Sequence, residues 1–137
     1  MKVLLDTNIL LQAISHKNRL RPIWTAFLNE KYDLIVSNSI LLEYEEKIAE
    51  KTSQQVAINV VSLISEAVNT ILVTVYYQWN IITSDPDDNK FCDTAVAGNA
   101  DYIVTNDSHF NEAKKINFPI VNILSASYFI NIIQAMK

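Results

Sequence analysis

Four acidic side chains recur at one kind of place in this sequence, just beyond a short apolar run. Asp6 ends the run Lys2–Leu5. Glu43 lies in the helix expected after the run that starts at Asp33. Asp88 opens a segment whose Phe91, Cys92 and Ala95 follow at i+3, i+4 and i+7, the spacing of a helix face turned inward. Asp107 lies just past Tyr102-Ile103-Val104-Thr105. Carboxylates drawn within a few ångströms of one another repel, and one or more keeps a proton unless a cation joins them. Oxygen ligands in that number suit Mg2+ or Mn2+, which keep positions open for water and phosphate oxygens. An ion held there orients a water, lowers its pKa and offsets charge building on a scissile phosphate. The pattern therefore points to metal-dependent phosphodiester chemistry rather than to acid/base work by a carboxylate pair. Each acid also has a plainer reading: Asp6, Asp87, Asp88 and Asp107 as caps or turn residues, worth ~0.3–1 kcal/mol at a helix start, and Glu43 as a solvated helix face. The ordered set, not any one member, carries the inference.

The elements that must position these acids alternate between strand and helix. Strands are predicted at Lys2–Leu5, Asp33–Ser37, Tyr102–Thr105 and Ile120–Ile123. A further short strand falls within the β-branched, aromatic stretch 71–83, at about Asn80–Thr83. Helices are predicted from Thr7 or Asn8 to about Ser15, from Pro22 to about Glu30, and from Asn38 or Ser39 to about Lys51. A long helix follows from Ser53 with apolar residues through Ile71, then helices from Asp88 to about Asn99, Ser108 to Lys115 and Ser125 to Ala135. Strands separated by helices imply crossovers and a covered, mainly parallel sheet. The expected fold is a three-layer α/β/α sandwich of four or five strands, forming a single domain over 1–137. In such a sheet ligands bind at the carboxyl ends of the strands, where the acids fall.

Scarce residues exclude other chemistries. The chain has 137 residues, half of them hydrophobic, too apolar and too weakly charged for disorder. Its one glycine, Gly98, rules out a glycine-rich phosphate loop, and asparagine is expected to fill the turn positions glycine usually takes. One cysteine, Cys92, excludes an internal disulfide, and two distant histidines, His16 and His109, leave no histidine-rich metal site. No apolar run reaches the ~18 residues of a membrane span, and Asp6 comes too early for a signal peptide. A cytoplasmic protein is expected.

The same residues resemble the PIN-domain ribonucleases almost end to end, from Lys2 to about Phe129. Val3-Leu4-Leu5-Asp6-Thr7-Asn8 is similar to that family's opening strand and its Asp-x-Asn signature. The stretch from Val36 to Glu43 is similar to the second strand and the helix bearing the family's glutamate. The segments Asp85–Phe91 with Ala95, and Asp101–Asp107, resemble the third and fourth acidic blocks, in the form found in the toxin components of toxin–antitoxin pairs, the VapC-like proteins. The resemblance implies an endoribonuclease directed at single-stranded RNA, using one or two Mg2+ or Mn2+ ions held by Asp6, Glu43, Asp88 and Asp107. It also implies supporting roles for Thr7, Asn8, Ser37 and Thr105, and secondary ones for Asp87 and Asp93. A cognate antitoxin is the implied protein partner. A non-catalytic PIN-like interaction module, or an RNA-processing nuclease without a toxin role, shares the same fold. A haloacid-dehalogenase phosphatase does not fit, because Asn8 stands where its second aspartate is needed.

Substrate contacts are less legible. Lys17, Arg19 and Arg21, with His16, form the densest basic run and are the candidates for holding RNA phosphates. The apolar final helix, with Tyr128, Phe129, Ile130, Ile132 and Ile133, is either core or the contact of a homodimer. The net charge of −4 comes from 15 acids against 11 bases, and setting the four site acids aside leaves the two equal. The metal-free protein is thus expected to bind RNA poorly, a bound cation turning a repulsive cleft into an accepting one.

Overall fold

The computed structural model describes residues 1–136. Five strands, β1 (Lys2–Leu5), β2 (Asp33–Val36), β3 (Thr70–Leu72), β4 (Tyr102–Val104) and β5 (Ile123–Leu124), form one sheet in the order β3-β2-β1-β4-β5. Every pairing is parallel. The helices flanking it are α1 (Thr7–Ala13), α2 (Arg21–Leu28), α3 (Asn38–Lys51), α4 (Gln54–Glu66), α5 (Asn89–Ala97), α6 (Asn111–Lys114) and α7 (Ala126–Ala135). The central strands are apolar on both faces, because helices cover both: Val3, Leu4, Leu5, Leu34, Ile35, Val36, Ile103 and Val104 are all buried. The edge strands, three and two residues long, are more exposed than the central ones, and their shortness limits the open edge. Among the described residues no helix is long and apolar enough to cross a membrane.

Serine hydroxyls start three of the helices: Ser37, Ser53 and Ser125 accept from the backbone N–H three residues on. Asparagine does take left-handed backbone positions, at Asn80 and Asn99, with Glu30 the third. Gly98 serves a different need. Its φ is ordinary, but a Cβ there would meet Ile35 Cγ2 at 2.8 Å, so the glycine lets the end of α5 lie on β2.

Three sequence expectations shift. The strand in the ambiguous stretch is β3 at Thr70–Leu72, not Asn80–Thr83, since α4 ends at Glu66 instead of continuing to Ile71. Residues 73–85 instead form an irregular strap leaving the carboxyl end of β3. The helix expected from Ser108 begins as a 3-10 turn, Ser108–Phe110, before α6. The strand expected at Ile120–Ile123 is β5 at Ile123–Leu124, just after the Phe118-Ile120 segment with its cis Pro119.

The strap owes its shape to side chains rather than to a ladder. Asp93 accepts from Trp79 N–H (2.9 Å), and Asn89 both accepts from Ile82 N–H and donates to its carbonyl. Glu112 accepts from the N–H groups of Thr83 and Ser84 and from the Thr83 hydroxyl. All but the Thr83 hydroxyl contact satisfy backbone that sheet pairing would otherwise have satisfied.

Candidate active site

Strand order reverses on either side of β1: β2 and β3 lie on one flank, β4 and β5 on the other. The crevice at this switch point, outside the carboxyl ends of β1 and β4, is where a parallel sheet binds ligands. Asp6 ends β1 there, its N–H donating to the Val104 carbonyl of β4 (3.0 Å). The next helix over is locked to the same point, because Tyr44 on α3 donates its buried hydroxyl to the Leu5 carbonyl. That contact brings the neighbouring Glu43 to the crevice.

Asp6 is 6% exposed, and Thr105 at the end of β4 donates to its Oδ2 (2.8 Å). The same Thr105 oxygen accepts from Asp107 N–H (3.0 Å), so one hydroxyl sets both acids. Asp107 in turn accepts from His109 N–H (2.9 Å), opening the 3-10 turn. Asp88 arrives from the crossover, at the end of the 3-10 turn Pro86–Asp88 that leads into α5. Glu43 is engaged twice, by the Thr7 hydroxyl and by the ammonium of Lys90.

Electrostatics follow from this crowding. Burial, then the charge of Asp107 and of Glu43, pushes Asp6 up to about 6, although the hydrogen bonds from Thr105 and Thr7 oppose it. Burial, with Asp85, Asp6 and Asp107 adding to it and His109 opposing, pushes Asp88 up to about 7. One or both thus keep a proton near neutral pH unless a cation displaces it. Two polar atoms here are buried without any hydrogen-bond partner, Asp88 Oδ2 and His109 Nδ1. They lie 3.7 Å apart, with Asp85 Oδ2 at 3.7 Å and Asp107 Oδ1 at 3.3 Å from the imidazole nitrogen. Ligand atoms of Asp85, Asp88 and His109 all fall within 4.8 Å of one another. Mostly oxygen, and with Asp88 Oδ2 and His109 Nδ1 buried and unpartnered, this half-buried donor set fits a hard divalent ion such as Mg2+ or Mn2+, the imidazole being better tolerated by Mn2+.

The sequence-derived residues separate into groups. Asp6, Asp88 and Asp107 converge, Thr105 orients two of them, and Thr7 holds Glu43. Asn8 lines the crevice beside Asp6, Gln12, Asn106 and Asp107. Ser37, expected to support the acids, instead caps α3 and bonds Ser39 and Thr94. Asp87 is exposed and turned out. Asp85, two residues earlier, is the acid that joins Asp88, because the 3-10 turn puts i and i+3 on one side. Asp93 faces the strap. The basic run does not line the crevice: Lys17 and Arg19 are exposed beyond the far end of α1, and Arg21 donates to the Ile14 carbonyl. Sequence reasoning missed Asp85, His109 and Lys90. The Asp85-x-x-Asp88 spacing and the position of His109 two residues after Asp107 were the available signals.

A family model described as PIN domain matches residues 2–109 of the chain. A chain in the crystal structure of VapBC2 from Rickettsia felis bound to a DNA fragment from their promoter is similar in fold. The TM-score is 0.60 at 16% identity, covering 91% of this chain and 98% of that one. No curated protein matches.

Proposed function

The chain belongs to the PIN-domain family, and on that premise we propose that it is a metal-dependent endoribonuclease that hydrolyses phosphodiester bonds of single-stranded RNA. The observation that carries the reading is the convergence of Asp6, Asp88 and Asp107 at the switch point, with Asp88 Oδ2 and His109 Nδ1 buried and unpartnered. Mg2+ or Mn2+, one ion or two, would be held by Asp6, Asp88 and Asp107, with Glu43, Asp85 and His109 beside them. When bound, the ion supplies Lewis acidity and an ordered water for in-line attack at phosphorus. Thr105 keeps Asp6 and Asp107 in register for it, and Thr7 keeps Glu43 turned toward the crevice. Water adds to phosphorus, the P–O3′ bond breaks, and the products are a 5′-phosphate and a free 3′-hydroxyl.

The test is cleavage of single-stranded RNA beside single-stranded DNA with Mg2+ or Mn2+, wild type beside Asp88→Asn. Metal-dependent RNA cleavage lost in the variant supports the reading, and equal rates for the two proteins overturn it. A toxin role in the cytoplasm, with a cognate antitoxin as partner, is the biological setting we propose. Its support is the fold shared with a VapBC2 chain, and induction of the gene in growing cells tests it. Homodimer formation through α7 belongs to the same proposal: the helix buries Ala126 and Phe129 but leaves Tyr128 exposed.

A further inference from the structure

Lys90 is, among the described residues, the only lysine or arginine paired with one of the four converging acids, through Glu43. It stands at a junction. On one side is the acid crevice; on the other is a groove of about 310 Å³ lined by Ser39, Val75, Tyr76, Gln78, Lys90, Asp93 and Thr94. The groove floor is rigid. Thr94 is fully buried and donates to Ser37 at the start of α3, and Asp93 holds the strap through Trp79 N–H. The wall is not. Tyr76, three residues before that anchor, is 92% exposed, its ring turned to solvent with no aromatic partner among the described residues, whereas Tyr77 packs against Trp79 and Trp79 edge-on against Phe118.

We propose that this groove is a nucleotide subsite on the path of the RNA strand, next to the cleavage site. Lys90 takes the phosphate, swinging from Glu43 to reach it, and Tyr76 takes the base on its face. Asp93 is a positioning residue that fixes the strap bearing Tyr76. The inference rests on the ribonuclease reading and adds where the strand lies. Single-stranded nucleic acid is bound by just such a pairing of a cation for the backbone with an aromatic face that tolerates any base. A protein partner would favour a more apolar surface than this one, where Val75 and Tyr76 stand among a lysine, an aspartate, a glutamine, a serine and a threonine. The assignment also supplies a cation at the crevice, where the basic run Lys17–Arg21 supplies none.

The experiment compares steady-state cleavage of a single-stranded RNA octamer by wild type, Tyr76→Ala, Tyr76→Phe, Lys90→Gln and Lys90→Arg, with Mn2+. Anisotropy titration of the same labelled RNA at several salt concentrations runs in parallel. Tyr76→Ala should raise KM at least about fivefold, the low end of one base stack, with kcat nearly unchanged and Tyr76→Phe restoring it. Lys90→Gln should lower the slope of log affinity against log salt by about 0.7, one phosphate on a single strand, and Lys90→Arg should restore it. A kcat loss in Lys90→Gln without a change in salt slope overturns the proposal, since Lys90 would then act only through Glu43. An unchanged KM and affinity in Tyr76→Ala also overturns it, as does loss of self-association in place of RNA affinity when sedimentation is measured. If wild type cleaves no RNA, the ribonuclease reading fails by itself. The anisotropy titrations still decide the subsite.

Discussion

Asp88 and Asp93 are five residues apart around one helix, both shielded enough that burial raises their carboxyls above the usual range. Their surroundings are opposite. Asp93 has an oxygen bound to Trp79 N–H and anchors the strap. Asp88 has a buried oxygen with no partner, three carboxylates raising its pKa and one imidazole 3.7 Å away. A buried acid is common enough as a structural fixture; what marks the first turn of α5 for chemistry is the missing partner. A polar atom left unsatisfied in the interior is costly, on the order of 1–3 kcal/mol, and a site that tolerates it is disposed to accept a ligand.

Substituting each acid gives the widest separation. Asp88→Asn should cut metal-dependent RNA cleavage by more than about a hundredfold, beyond the 10- to 100-fold typical of groups that only orient a ligand. Asp93→Asn, which can still accept from Trp79 N–H, should leave kcat within a few-fold of wild type. Equal losses in the two variants would erase the distinction.

Next in size is a pH effect centred on the crevice acids. Folded Asp6 and Asp88 retain protons up to about 6 and about 7, which the unfolded chain has already lost above their ordinary value of 3.8. The unfolded state therefore binds fewer protons through that window. Metal-free stability should fall as pH rises from about 4 to about 7, by roughly 3 kcal/mol from Asp6 alone. Urea titrations at pH 5 and pH 8 measure it, Asp6→Asn should remove the Asp6 share of it, and Mn2+ should stabilise the protein much more at pH 8. A pH-independent midpoint would remove the electrostatic half of the comparison.

Smaller effects probe the opposite side of α5. Gly98→Ala should cost about 1–3 kcal/mol by forcing Cβ onto Ile35, while leaving the metal response intact, as thermal melts with and without Mn2+ would show. Asp93→Ala should cost about 1–2 kcal/mol, the loss of one buried acceptor. Smallest is Glu112→Gln. Its carboxylate, held down to about 2 by hydrogen bonds from Ser84 and Thr83, should be replaced at little cost in global stability. Hydrogen exchange at Thr83 and Ser84 should nonetheless quicken, and unchanged protection there would mean the strap is held elsewhere.

Periodicity made the strands at Lys2–Leu5, Asp33–Val36 and Tyr102–Val104 legible, because central strands of a covered sheet are continuous apolar runs. The edge strand β3 was hidden, since a three-residue strand with two partly exposed positions leaves little pattern, and the aromatic stretch behind it imitates a strand. Of the candidate site acids, Asp6 and Asp107 were legible because each follows an apolar run, Glu43 because it lies in the helix after one, and Asp88 because it opens an inward-turned helix face. Asp85 was missed, and Asp87 given a secondary role, because which acid faces inward depends on a 3-10 turn that no periodicity signals.

By itself the sequence determined which chemistry is available: carboxylates in quantity, one cysteine, one glycine, two histidines and four acids at the ends of apolar runs. That follows because burial patterns and residue types are local properties of the chain. Tertiary structure alone decided partnership, which depends on distances between segments far apart in sequence. It turned Lys90 onto Glu43, set His109 against Asp85 and Asp88, gave Ser37 to Thr94 and Asp93 to the strap, and left Asp88 Oδ2 with nothing to bond.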